Sequence, residues 1–266
     1  MRSRVQANAD LSRPGATIVS CETFFPKAND GSDADLITSL SILVSALQDI
    51  LDEVESDYRN VPSYRGAVIN MSLGWAAHPL ADEEAVRRMI SSVVNAGIPF
   101  VTAAGHSGSE AINLHPCGFV DVLCVGSVKQ NYEMSEWSNW GIAVLMLAPG
   151  EEVVVIDPAN NIDGTGYTTQ TGTSYAAPLV AASLASIISW DELKLPEHKD
   201  LAVTRLLLNA QTNAIAPGTL KGTPNILLNT GVQHPDKWDF QPYRYAKGVE
   251  PPSEWVKSLD DADFDF

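Results

Sequence analysis

Thr171-Gly172-Thr173-Ser174-Tyr175-Ala176-Ala177-Pro178 runs directly into Leu179-Val180-Ala181-Ala182-Ser183-Leu184-Ala185-Ser186-Ile187-Ile188. A glycine turn thus delivers one serine to the start of a helix built from small residues. The leading amides of a helix have no acceptor within it, and the macrodipole favours negative charge there, which suits an oxyanion forming beside Ser174. Pro178 reads as a first-turn residue, where its missing N–H costs nothing. The alanines let neighbours approach closely, so this helix is expected in the middle of the domain. The plainer alternative is an ordinary helix with a serine cap.

Upstream of this stretch, apolar runs alternate with helical patterns. Ala16–Phe25 reads as a strand and Lys27–Asp33 as a loop. Leu36, Leu40, Leu43, Leu47, Ile50 and Val54 recur at three- and four-residue steps and predict a helix, followed by a loop over Asp57–Tyr64. Ala67–Leu73 is almost wholly apolar, as a central parallel strand covered on both faces should be, and Gly74 ends it. A second helix starts near Asp82, turns Val86, Met89, Ile90 and Val93 inward, and stops at Gly97. Further strands are expected at Ile98–Ala104, Val120–Val128 and Ile142–Ala148, and a short helix at Leu201–Leu208. This alternation predicts an α/β fold of three layers, with a mostly parallel twisted sheet and helices on both faces.

Composition narrows the function. The 266 residues suffice for one domain with a sizeable core, and 45% apolar with 19% charged residues is ordinary for a globular chain. Lys plus Arg total 17 against 33 Asp plus Glu, and the resulting charge of -16 repels nucleic acid and anionic membranes. Cys21, Cys117 and Cys124 leave at least one thiol unpaired, and a Cys117–Cys124 bridge is allowed but not required. The first ten residues lack the apolar region of a signal peptide, and the longest apolar stretch, Ala176–Trp190, is too short to span a bilayer. Residues 234–266 read as an acidic, irregular tail after a domain over 1–233. No zinc-ligand spacing or phosphate-binding glycine loop is present.

Gly172-Thr173-Ser174-Tyr175-Ala176-Ala177-Pro178 resembles the nucleophile motif of the subtilisin-like serine proteases, and other segments follow that family in order. Val68-Ile69-Asn70-Met71-Ser72-Leu73-Gly74 resembles the strand whose end walls the substrate groove, which makes Ser72, Leu73 and Gly74 candidates for binding peptide by backbone pairing. Phe100-Val101-Thr102-Ala103-Ala104-Gly105-His106 resembles the segment that ends in an oxyanion-binding asparagine; here that place is held by His106, with Ala103, Ala104 and Gly105 beside the substrate. Val122–Val128, Trp137-Ser138-Asn139-Trp140-Gly141 and Ala148-Pro149-Gly150 continue the resemblance, which runs from about Pro14 to Leu184.

The resemblance implies a serine endopeptidase acting on peptides or proteins through an acyl-enzyme on Ser174. The Ser174 backbone N–H and the His106 ring would face the oxyanion, and structural calcium is allowed, with no ligands assigned. The family order is Asp, His, then Ser. The first two motifs belong before the strand at Ala16–Phe25, and neither is found, so an N-terminally incomplete domain is expected. His78, His106 and His115 lack the context of the family histidine, and Asp10, Asp30, Asp33 and Asp35 do not end an apolar strand. The other readings are a catalytically inactive peptide-binding module on the same fold and a truncated product.

Overall fold

The structure is a computed structural model that describes residues 2–6, 17–21, 25–26, 36–37, 40–77, 81–156, 167–190 and 199–229. The first helical pattern becomes α1 (Leu40–Asn60) and the second α2 (Ala81–Asn95). α1 runs four residues into the stretch expected to be a loop. Its last turns are held by side chains one turn apart: Arg59 Nη2 donates to Glu55 Oε2 at 2.9 Å and Asn60 Nδ2 to the Ser56 carbonyl at 2.8 Å. Gly97, at φ 84°, closes α2 in the left-handed region, as its sequence position suggested.

Among the described residues six strands form the central sheet: β1 (Ile69–Met71), β2 (Phe100–Ala103), β3 (Leu123–Val128), β4 (Met146–Pro149), β5 (Gln211–Thr212) and β6 (Ile226–Leu227). They lie in the order β5-β6-β4-β3-β2-β1, and all pairs are parallel except β5 with β6. The register places Ile69 opposite Phe100, Thr102 opposite Cys124 and Leu147 opposite Gly126.

Strand alternation divides the core between the two faces. Phe100 joins Leu43, Leu47, Val86, Ile90 and Val93 under α1 and α2. Val101, Ala103, Val125, Met146 and Ala148 face the other way, against the helix that carries the serine, α3 (Thr173–Trp190), and α4 (Lys199–Asn209). Ala176, Ala177, Val180 and Leu184 of α3 are fully buried, so the small-residue helix does occupy the middle of the domain. Cys124, Leu147 and Leu227 are covered by loops through Ala111, Cys117, Val144 and Ile215, and Cys117 is disulfide-bonded to Cys124.

Short ladders lie apart from the central sheet. Thr17–Cys21 pairs antiparallel with Arg2–Gln6 in a separate two-stranded ladder and is no part of the parallel sheet. Ile18 and Val19 are exposed, so that apolar run lacks the double cover of a central strand. A second ladder, Val153–Ile156 with Tyr167–Gln170, was not legible as a pair because ten residues separate its short strands. Among the described residues no helix is long and apolar enough to cross a membrane. The expected acidic tail over 234–266 lies outside the described residues.

Candidate active site

Three segments meet at the carboxyl edge of the sheet, the edge where parallel α/β sheets place their sites. Ser72-Leu73-Gly74 follows β1, Ala104-Gly105-His106 follows β2, and Thr173-Ser174 opens α3. The Gly172 amide donates to the Gly150 carbonyl at 2.7 Å, which ties the turn before the helix to the end of β4. Gly150 has no room for a side chain, since a Cβ there would lie 2.4 Å from Ser127 Oγ and 2.9 Å from the Gly172 carbonyl oxygen.

Ser72 and Ser174 face each other across the edge. Ser174 Oγ donates to the Ser72 carbonyl at 3.4 Å, the outer limit of a hydrogen bond, and Ser72 Oγ donates to the Ser174 carbonyl at 3.2 Å. Pro178 explains the second bond and corrects its own sequence reading. α3 begins at Thr173, so Pro178 lies in the second turn, and its missing N–H deprives the Ser174 carbonyl of the i+4 donor. The Ser72 hydroxyl supplies the donor instead. The Ser174 amide stands in the first turn, where no intrahelical acceptor exists.

His106 lies at the same helix start. Its Nε2 accepts the Thr173 N–H at 2.8 Å and sits 3.1 Å from Thr173 Oγ1, which itself accepts the Gly105 N–H at 3.1 Å. The ring is tilted 52° against Trp137 at 5.5 Å between centroids, and burial lowers its pKa below the usual histidine value. An Nε2 that accepts cannot also donate: it is bound to the Thr173 amide, and Nδ1–H is the ring's remaining donor.

The loop that carries His106 hangs on Asn139, which is 1% exposed. Asn139 Nδ2 donates to the Ala104 carbonyl at 2.9 Å, while its Oδ1 accepts the Ser107 and Ser109 amides at 3.0 and 3.1 Å. Gly105 is required beneath it: φ is +98°, and a Cβ would come within 2.5 Å of Asn139 Nδ2 and 2.6 Å of Leu114 Cδ2.

The substrate-side candidates are not equally open. Ser72 and Leu73 are half-buried and Gly74 is exposed. Ala103 and Ala104 have their side chains in the core, and the Ala104 amide already donates to the Val125 carbonyl at 2.9 Å. The Gly105 amide and carbonyl are both bonded, to Thr173 Oγ1 and to the Asn139 amide. Ala104 and Gly105 therefore have none of the free backbone that pairing with a peptide needs. Leu114, which sequence reading missed, fills the space between the two strand ends, its Cδ2 lying 3.3 Å from where a Gly74 Cβ would stand.

The His115 side chain is engaged in its own contacts. Its Nδ1 pairs with the buried Glu83 carboxylate and its ring packs on Phe119 at 4.3 Å between centroids. His78, Asp10, Asp30, Asp33 and Asp35 lie outside the described residues. Among the described residues no three His, Cys, Asp or Glu side chains gather as a metal site, so they offer no acidic cluster to the calcium that resemblance allows. Thr173 and Asn139 also went unread as site residues, although both stand inside motifs quoted from the sequence; their roles depend on contacts 68 and 35 residues away.

The profile described as the subtilase family matches residues 12–230. Subtilisin-like protease 1 of Arthroderma otae is 34% identical over 165 residues, which are 62% of this chain and 31% of that protein. Subtilisin-like proteinase Spm1 of Pyricularia oryzae is 30% identical over 173 residues, 63% of this chain and 31% of that one. Among solved structures, a cold-adapted subtilisin-like serine proteinase superposes with a TM-score of 0.56 at 30% identity, covering 74% of this chain and 63% of its own. The chain thus spans about a third of the length of the curated relatives it matches.

Proposed function

Since the chain belongs to the subtilase family, we propose that it carries the nucleophile side of a serine peptidase site, with Ser174 attacking a peptide carbonyl. The observation that supports this most is the position of Ser174, in the first turn of α3 with an amide free for an oxyanion and a hydroxyl facing the end of β1. In the proposed reaction Ser174 Oγ bonds to the carbonyl carbon and its proton passes to a base. The Ser174 N–H stabilises the oxyanion, the amine leaves with a proton, and water then hydrolyses the acyl-enzyme. The substrate is an extended peptide alongside Ser72-Leu73-Gly74; among the described residues β1 pairs on one side only, which leaves an edge for backbone pairing.

Among the described residues, the hydrogen-bond partner of Ser174 Oγ is the Ser72 carbonyl and not an imidazole. The base is therefore proposed to come from the aspartate and histidine motifs of the family, which the 266 residues do not show. A second reading, peptide binding without hydrolysis, is favoured by one observation: His106 turns an accepting nitrogen to α3 where the resemblance calls for a donor. The deciding experiment joins this chain in frame to the aspartate- and histidine-bearing segment of the Arthroderma otae relative and assays hydrolysis of a peptide substrate. Hydrolysis abolished by Ser174→Ala is expected. A folded fusion that binds peptide but does not cleave it would move the function to binding.

A further inference from the structure

The contacts of His106 form a closed set. Gly105 N–H donates to Thr173 Oγ1 at 3.1 Å, Thr173 Oγ1 lies 3.1 Å from His106 Nε2, and the Thr173 N–H donates to that same nitrogen at 2.8 Å. Thr173 is fully buried, so water does not replace an acceptor lost there. A ring nitrogen facing an amide N–H must present its lone pair, which places the proton of the neutral ring on Nδ1. The accepted amide is one of the leading amides of α3, on the residue immediately before Ser174.

We infer that His106 is a positioning residue for Ser174: a neutral imidazole acceptor that fixes the first amide of α3 and releases it when the ring is protonated. Protonation would put an N–H against an N–H and a positive charge at the positive end of the helix dipole. Among the described residues the groups around the ring do not offset this. Gly172 and Thr173 present only backbone and a hydroxyl, and the Trp137 ring is tilted against the imidazole while its Nε1 donates to Glu151 at 2.9 Å. Glu136, beside Trp137 in the chain, pairs with Lys129 at 3.2 Å. Burial already lowers the His106 pKa, in keeping with a ring held neutral.

The importance of this contact for catalysis rests on the proposed role of Ser174, whereas its geometry does not, and the test is read without activity. The full 266-residue chain, labelled with nitrogen-15 in its histidines and backbone, is titrated by NMR from pH 8 downward beside H106Q, which keeps a neutral acceptor that does not titrate. The expected result is an Nδ1-protonated neutral ring at pH 8. As His106 titrates, exchange of the Thr173 amide should rise about tenfold over H106Q at the same pH, the equivalent of one net hydrogen bond. An Nε2-protonated neutral ring, or a Thr173 amide indifferent to the titration, would overturn the inference. The wild-type titration decides this even where H106Q fails to fold. A chain that passes while its fusion never cleaves peptide would keep this inference and lose the peptidase proposal.

Discussion

Ser72 and Ser174 are bonded to each other in both directions, hydroxyl to carbonyl, at 3.2 and 3.4 Å. The shorter bond repairs the helix: Pro178 has no N–H to give the Ser174 carbonyl, and Ser72 Oγ takes its place. The residue proposed as nucleophile is thus held through its backbone by the residue proposed to line the substrate edge.

Ser72→Ala leaves the Ser174 carbonyl without a donor and should destabilise the chain by about 1–2 kcal/mol, the usual cost of an unsatisfied polar group. Pro178→Ala restores a backbone N–H to that carbonyl, so the Ser72→Ala penalty should shrink in its background. Urea unfolding of the two single variants and the double variant measures the coupling. Strict additivity would show that the Ser72 hydroxyl does not serve this carbonyl.

Asn139→Ala removes one donor and one shared acceptor from the loop over residues 104–109 and should cost about 3 kcal/mol or more, since several buried backbone groups lose their partners together. The same substitution should loosen His106, seen as altered Trp137 fluorescence before global unfolding. A melting temperature within a degree of wild type would contradict the role given to Asn139.

The contrast between these residues and the serine explains what could be read in advance. Ser174, its helix, and the parallel strands after Ala67 and Ile98 carry their signal locally, in hydrophobic period and in glycine or alanine content, so they were visible in the sequence. The Thr173–His106 contact depends on which ring nitrogen holds the proton, a choice made by a neighbour 67 residues away. Leu114 was invisible for a similar reason, because its side chain earns its place only where two strand ends converge. Thr17–Cys21 was legible as a strand, but a local strand signal carries no record of which sheet the strand joins.

Tyr64, half-buried after α1, has its pKa raised to about 12, first by burial and then by Asp57 and Glu53. Because the folded value lies above the unfolded value of about 10, the protonated phenol's contribution is fully present below pH 10 and is lost as pH rises through about 12. Ultraviolet titration should show a late tyrosinate that Tyr64→Phe removes, and the same substitution should flatten the stability loss across that window. A full set of phenolate signals by pH 11 would contradict it.

The most direct measurement is mass-spectrometric mapping of fluorophosphonate adducts on the purified 266-residue chain, beside Ser174→Ala. Such probes report a serine whose proton can be taken by a base within hydrogen-bond reach, and among the described residues the Ser174 hydroxyl donates to the Ser72 carbonyl. The expected result is labelling of the chain no greater than that of Ser174→Ala, with labelling of Ser174 gained once the aspartate- and histidine-bearing segment is supplied. Stoichiometric labelling of Ser174 within minutes on the chain alone would contradict the claim that this chain presents a nucleophile without its base.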